Sequence, residues 1–436
     1  MQCPPWALRL SDQGSNGVPM DITLILFVLV YVAMGVGHLP GFKVDRTGAA
    51  LLGAMLLIVF ERMTPAAAWA AIDVNTIGLL FGLMVVSSAF VVGGFYGWMA
   101  ERVGRMNVGP PMLLGLLIVV SGVLSALLTN DVVVVAMTPV LCSIALARQL
   151  NPVPLLLGFC FAANVGSTAT LIGSPQNMIV AQTLNISFNK FSAFTLVPSA
   201  VGLGLIWLIM VLLYRKRWYL DHSTTYNAGQ ISKPPIRTEL NRNETSKAAV
   251  VTSMLIAAFI LTDWPHMLVA MAAASVLLLN RKIASADMLR HVDGSLLLLL
   301  MGLFVVNAAL AATGAPIQAM AWIRESGVNL GAPVAMLLVA GALSNVVGNS
   351  PAVMLLSPFL TGPHHAETLG AAIALGTGFS SNAIVFGSLA GIIVVEQAKA
   401  QGVNISFGEF MRAGVPVTIL TTLLAIVWVY FLGNHP

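Results

Sequence analysis

The chain has 436 residues, of which 58% are hydrophobic and only 9% charged, with a mean hydropathy of +0.89. Soluble domains carry about 25% charged residues, so a soluble enzyme is excluded, as are collagen-like, disordered and disulfide-scaffold chains. The apolar stretches are continuous rather than alternating, which leaves an all-α polytopic membrane protein and not a β-barrel. The net charge of +4 then reports topology rather than a nucleic-acid partner.

In chain order, residues 1–20 form a polar N-terminal extension without a signal-peptide core. Apolar runs follow at 21–39, 47–60, 74–100, 111–128, 131–147, 153–163, 176–184 and 194–214. The segment 215–247 is polar, with Pro234-Pro235 and several Ser and Asn, and reads as a linker. The pattern restarts at 248–262, 266–280, 294–313, 332–347, 351–361, 368–378, 387–397 and 412–432. A full crossing needs about 20 residues. Several runs are shorter and interrupted by Gly, Pro and Asn, so they read as half-helices of re-entrant hairpins and broken helices.

The two halves repeat. Leu124 to Asp131 (Leu-Ser-Ala-Leu-Leu-Thr-Asn-Asp) stands 219 positions before Leu343 to Ser350 (Leu-Ser-Asn-Val-Val-Gly-Asn-Ser). Asp73, Gly82 and Gly94 match Asp293, Gly302 and Gly314 at an offset of 220. Asn185-Ile-Ser-Phe matches Asn404-Ile-Ser-Phe. Repeat 1 is therefore read as 21–214 and repeat 2 as 248–436. Each holds about five transmembrane helices plus a re-entrant hairpin and a broken helix, and an odd number of crossings inverts the second repeat.

Charge orients this arrangement. With 215–247 in the cytoplasm, 17 of the 21 Lys and Arg fall in cytoplasmic loops, among them Arg46, Arg148 and Arg290. Only Arg9, Arg62, Lys190 and Arg324 fall outside. This is the expected positive-inside asymmetry. It makes the chain a multi-pass protein of the cell (inner) membrane with both termini outside. No Lys or Arg then falls within the membrane.

Breaks in membrane helices expose backbone that lipid cannot satisfy, so they are expected to face protein or a water-filled site. Four stand out. The first is the hairpin tip Thr129-Asn130-Asp131. The second, Asn164 to Asn177, offers Asn164, Ser167, Thr168, Thr170 and Asn177. The third is a second hairpin tip with Asn345, Asn349 and Ser350. The fourth offers Ser380, Ser381, Asn382 and Ser388. Helix termini and uncharged amides and hydroxyls can together hold a polar or ionic substrate, or serve as helix–helix glue.

Asp131 is the one acidic residue that this topology buries near the membrane centre. Such a group is costly, so it is expected to exchange a proton or bind a cation, or to cap the helix it begins. Asp73 and Asp293 start spans. Cys3, Cys142 and Cys160 lack paired spacing, so no disulfide or metal framework is expected. The histidines sit in loops or near interfaces, and the external His364-His365 reads as a solvated loop. No Walker motif occurs, and no cofactor is expected.

The run Leu128-Thr-Asn-Asp-Val-Val, the segment Asn164 to Ile179, and Asn345-Val-Val-Gly-Asn-Ser-Pro resemble the ArsB/NhaD permeases of the ion transporter superfamily. So does Gly387-Ser-Leu-Ala-Gly followed by Asn404-Ile-Ser-Phe-Gly-Glu-Phe. The likeness runs from about residue 21 to 432. It implies an elevator-type fold with a scaffold and a mobile transport part, each drawn from both repeats. It also implies arsenite and antimonite efflux coupled to proton influx, with an ATPase subunit as an optional partner. Asn130-Asp131 and Asn349-Ser350-Pro351 map onto the two family tips. Dicarboxylate carriers of the superfamily have Ser-Asn-Thr at both tips, where this chain has Thr129-Asn130-Asp131 and Gly348-Asn349-Ser350. A sodium/proton antiporter and a dicarboxylate or inorganic-anion transporter stand as alternatives. A two-fold homodimer is a common assembly.

Overall fold

The structure is a computed structural model that describes residues 22–39, 41–220, 239–325, 327, 329–360 and 366–434. The extension 1–20, the linker residues 221–238 and His364-His365 lie outside the described residues. Twenty α-helices occur in them. The first half holds α1 (Ile22–Val36), α2 (Arg46–Val59), α3 (Pro65–Ala71), α4 (Val74–Val92), α5 (Phe95–Gly104), α6 (Pro110–Leu127), α7 (Asn130–Ala147), α8 (Pro152–Ser167), α9 (Pro175–Thr183) and α10 (Phe188–Leu213). The second holds α11 (Arg242–Leu261), α12 (His266–Leu278), α13 (Ser285–Leu289), α14 (Gly294–Ala312), α15 (Ala315–Glu325), α16 (Pro333–Val347), α17 (Asn349–Leu356), α18 (Ala366–Ser380), α19 (Leu389–Ala400) and α20 (Phe407–Asn434). Seven are long and apolar enough to cross a membrane. Among the described residues strand pairing is limited to two isolated bridges, His38–Asp45 and Leu150–Tyr219.

Local chemistry sets the helix starts. Asp45, Asp73 and Asp293 cap α2, α4 and α14 by accepting from Gly48, Asn75 and Leu296 N–H groups. Proline opens α6, α8, α9 and α16, where its missing N–H costs nothing. The run 74–100 is two helices, not one. Gly94 adopts φ +74° between α4 and α5, and its mate Gly314 adopts the same φ between α14 and α15, a backbone that only glycine takes cheaply. The last residues of the polar segment, 242–247, belong to the first turns of α11.

The repeat is visible in the packing. A Cβ on Gly82 of α4 would stand 2.8 Å from the Ala270 backbone of α12. A Cβ on Gly302 of α14 would stand 2.8 Å from the backbone of Ala50 on α2. All four positions are repeat mates. Gly78 meets Met267 and Gly82 meets Ala270, so α4 and α12 run parallel. Thr47 donates to Ser295 O at 3.2 Å and Gly53 meets Val306, so α2 and α14 run parallel as well.

One end of this helix set is fixed by Gly93. Its carbonyl accepts from Asn241 N and Thr245 Oγ1 at the start of α11, and Lys247 Nζ reaches Leu279 O just past α12. The chain turns into α14 from there through α13. Hence α14 starts where α4 ends, and the two repeats are inverted.

Two hairpins and two broken helices fill the remainder. Gly158 and Gly166 of α8 pack on Leu114 and Gly122 of α6, so α6 and α8 rise together and α7 returns between them. Arg148 holds the hairpin base by donating to the Gly104, Met106 and Val108 carbonyls at 2.8–3.1 Å. In the other half α16 and α17 form the hairpin, and α18 and α19 the broken helix.

Candidate functional site

Both hairpin tips and both helix breaks meet in one small cavity of about 240 Å³. The first tip contributes Asn130 and Asp131, the second Asn349, Ser350 and Pro351. The breaks contribute Pro175 and Gln176 at the start of α9 and Ser388 and Leu389 at the start of α19. Four helix N-termini (of α7, α9, α17 and α19) therefore converge on it. The opposite wall comes from the starts of α2 and α14, through Arg46, Thr47, Asp293 and Ser295.

The sequence-predicted polar residues fall into two groups. Asn130, Asp131, Asn349, Ser350 and Ser388 line the cavity. The others brace the unwound backbone behind it, where an unsatisfied group would cost several kcal/mol in a membrane. Asn164 Nδ2 donates to Asn382 Oδ1 and to Ser388 Oγ, each at 2.9 Å, which ties the two breaks together. Asn177 Nδ2 donates to the Ser167 and Thr170 carbonyls at 2.9 Å, replacing the helical bonds lost between α8 and α9. Asn345 Nδ2 donates to Gly341 O within α16 and to Ser380 O at the end of α18, which ties the second hairpin to the second break. Thr170 Oγ1 donates to Ala126 O, and Thr168 shares a hydrogen bond with Ser199 at 2.7 Å. Ser167 Oγ donates to Asn164 O, and Ser380 pairs with Ser344 at 2.9 Å. Ser381 Oγ donates to Asn349 Oδ1 at 3.0 Å and so fixes the second tip. Thr129, at the first tip, bonds Ser87 of α4 through both its N–H and its hydroxyl.

Part of the unused polar capacity lines the cavity. Asn130 is 5% exposed, and its Oδ1 has no hydrogen-bond partner. Asp131 is half-buried and makes no hydrogen bond or ion pair among the described residues. Arg46 Nε is likewise buried without a partner. The charge pattern of the sequence places Arg46 in a cytoplasmic loop. The structure makes it the first residue of α2, where it also borders an apolar cleft of about 1070 Å³ between α1 and the second break, lined by Phe27, Tyr31, Val32, Val346 and Ile392. Gln176 and Asp293 also line the cavity without a sequence signal for it: Gln176 lies among stronger polar candidates, and Asp293 carries the ordinary signature of a helix cap.

The formal charge lining the cavity is that of one arginine and two aspartates. The Asp45 carboxylate that caps α2 adds one more negative charge, and the six helix N-termini that meet there, those of α2 and α14 included, offset the sum by about +0.5 each. The site is thus within about one charge of neutral and rich in both donors and acceptors. Among the described residues no group of His, Cys, Asp and Glu is arranged to hold a metal.

The family model described as citrate transporter, CitMHS, matches residues 24–376. An uncharacterized transporter of Mycobacterium tuberculosis is 30% identical, covering 95% of this chain and 99% of the relative. The silicon efflux transporter LSI3 of Oryza sativa subsp. japonica is 27% identical over 89% of this chain and 93% of its own. The crystal structure of the YdaH transporter of Alcanivorax borkumensis superposes with a TM-score of 0.59 at 15% identity, covering 95% of this chain and 98% of that one.

Proposed function

The chain belongs to the citrate transporter family and is a multi-pass membrane transporter, not an enzyme; on that premise we propose that it is a secondary exporter of arsenite and antimonite driven by proton influx. The observation that carries this reading is the cavity. It is small, within about one charge of neutral, and lined by amides and hydroxyls beside one unpaired carboxylate. Arsenous acid is undissociated near neutral pH and presents three hydroxyls, each able to donate and accept. Its few heavy atoms fit a volume of about 240 Å³ that is below the usual range for drug-sized ligands. The rice relative is named for silicon efflux, and silicon in neutral water is also an undissociated hydroxylated acid.

The roles follow from position. Asn130, Ser350, Ser388 and the free N–H groups of the helix starts bind the hydroxyls. Asp131 carries the proton, and its protonation biases which face of the membrane the loaded site prefers, because coupling needs unequal binding in the two orientations. The hairpins and breaks move against α2, α4, α12 and α14, with the Arg46 end cytoplasmic. The polar segment 215–247 lies on the same side of the inner membrane.

Two other readings each have one observation behind them. The unpartnered Asn130 Oδ1 beside Asp131 would suit a cation and a sodium/proton antiporter. Arg46 and the family description would suit a carboxylate such as citrate. Everted vesicles with a pH-sensitive dye separate the three. Arsenite or antimonite should dissipate an imposed proton gradient. Dissipation by sodium alone, or by citrate alone, would replace the exporter reading with the corresponding alternative.

A further inference from the structure

The cavity lies off-centre in the scaffold, near one end of α4. Thr129 of the first tip bonds Ser87, six residues before Gly93. Asn307, the repeat mate of Ser87, bonds Tyr31 instead at 3.0 Å, and the second hairpin runs on past it to place Val346 against Gly35. At the far end of α4, about 18 Å from Ser87 at 1.5 Å per residue, lies a second polar cavity of about 540 Å³. It is lined by Asn75, Gln182, Asn185, Asp263 and His266.

The wall that α4 and α12 give the second cavity is the repeat mate of the wall that α14 and α2 give the first. The offset of 220 carries Arg46 onto His266 and Ser295 onto Asn75, as it carries Gly302 onto Gly82. Helix α9 joins the two, with Gln176 in one cavity and Gln182 in the other. The mates differ in chemistry at one position that matters. A guanidinium keeps its proton at every physiological pH, whereas imidazole exchanges one near neutrality.

We propose that the His266 cavity is the opposite mouth of the transport path and that His266 passes the coupling proton to Asp131 when the hairpin tips face it. The proposal deepens the exporter reading and rests on it. A proton from water at that face binds a His266 ring nitrogen. Imidazolium and the Asp131 carboxylate then become imidazole and carboxylic acid. At the other mouth Arg46 has no proton to give and Asp293 shares the cavity with Asp131, so no side chain relays the proton there and Asp131 exchanges it with water directly. The pair thus makes proton exchange relayed at one face and direct at the other, and the proton gradient sets its direction.

The groups facing His266 permit such exchange. Its ring nitrogens make no hydrogen bond among the described residues, and its ring packs edge-on against Phe259 of α11 at 4.7 Å. Asp263, in the turn before α12, shares the cavity. From α4 it meets the uncharged Asn75, while Asp73 is engaged in capping. From α9 and the turn after it come Gln182 and Asn185, both uncharged. On α10, Lys190 is held by Glu367 of α18 at 2.8 Å.

Two readouts test this in reconstituted vesicles. In a chain with Cys3, Cys142 and Cys160 replaced by alanine, Asn75→Cys should react with a membrane-impermeant maleimide from the face opposite to Thr47→Cys. Reaction from one shared face, or none at position 75, overturns the mouth assignment whether or not arsenite is transported. Separately, His266→Gln should lower proton-driven arsenite transport about ten-fold and flatten its dependence on pH at the His266 face. Gradient-independent arsenite exchange should persist, which certifies the fold. An unchanged pH profile in His266→Gln overturns the relay while leaving the exporter reading standing. A wild-type chain without proton-driven arsenite transport removes that reading and the relay with it.

Discussion

The crossings α2–α14 and α4–α12 and the hairpin-and-break core solve the same problem by opposite means. In the crossings the helices run unbroken and their interior backbone groups bond within the helix, so helices approach until glycine meets alanine backbone at Gly82 and Gly302. In the core the helices are interrupted, and side-chain amides hold the breaks: Asn177 bonds the Ser167 and Thr170 carbonyls, and Asn164 ties the two breaks together through Asn382 and Ser388. The difference teaches where function resides. Polar capacity consumed by the fold is structural, and of the capacity left over, that of Asn130 and Asp131 lines the cavity.

Breaking this comparison at its functional end should have the largest effect. Asp131→Asn keeps the size and polarity of the side chain and removes the proton carrier, so proton-driven transport should fall by about 100-fold or more, measured as pH-gradient dissipation. Next come the braces. Asn164→Ala leaves Asn382 Oδ1 and Ser388 Oγ short of a buried donor, which costs about 1–3 kcal/mol and should lower the Tm in detergent. Gly302→Ala forces a methyl against the Ala50 backbone, and overpacking of this kind costs about 1–3 kcal/mol. Its repeat mate Gly82→Ala should behave alike, and a clear inequality between them would show that the two crossings are not equivalent. The smallest effect belongs to the exposed pair Lys190–Glu367. Lys190→Ala should change stability by about 0–1 kcal/mol, less at high salt.

Much of this was legible along the chain, because repeats and helix breaks are local signals. The offset of 220 found Asp73, Gly82 and Gly94 with their mates, and these prove to be a helix cap, a backbone contact and a left-handed turn in both halves. The run 74–100 hid a break because a single glycine, not a polar cluster, makes it. Arg46 could not be placed from charge alone, since a basic residue after a loop reads as topology. Its seat in the cavity depends on a hairpin tip about 300 positions away in sequence. Which amides brace and which face the substrate was equally hidden, because Asn164 and Asn382 satisfy each other across 218 positions.

The most direct test is labelled arsenite uptake into proteoliposomes with an imposed proton gradient, for the wild type and Asp131→Asn. Accumulation above the external concentration in the wild type, abolished by collapsing the gradient and absent in Asp131→Asn, is the predicted result. Equilibration without accumulation, or accumulation that Asp131→Asn retains, would contradict proton-coupled export through this site.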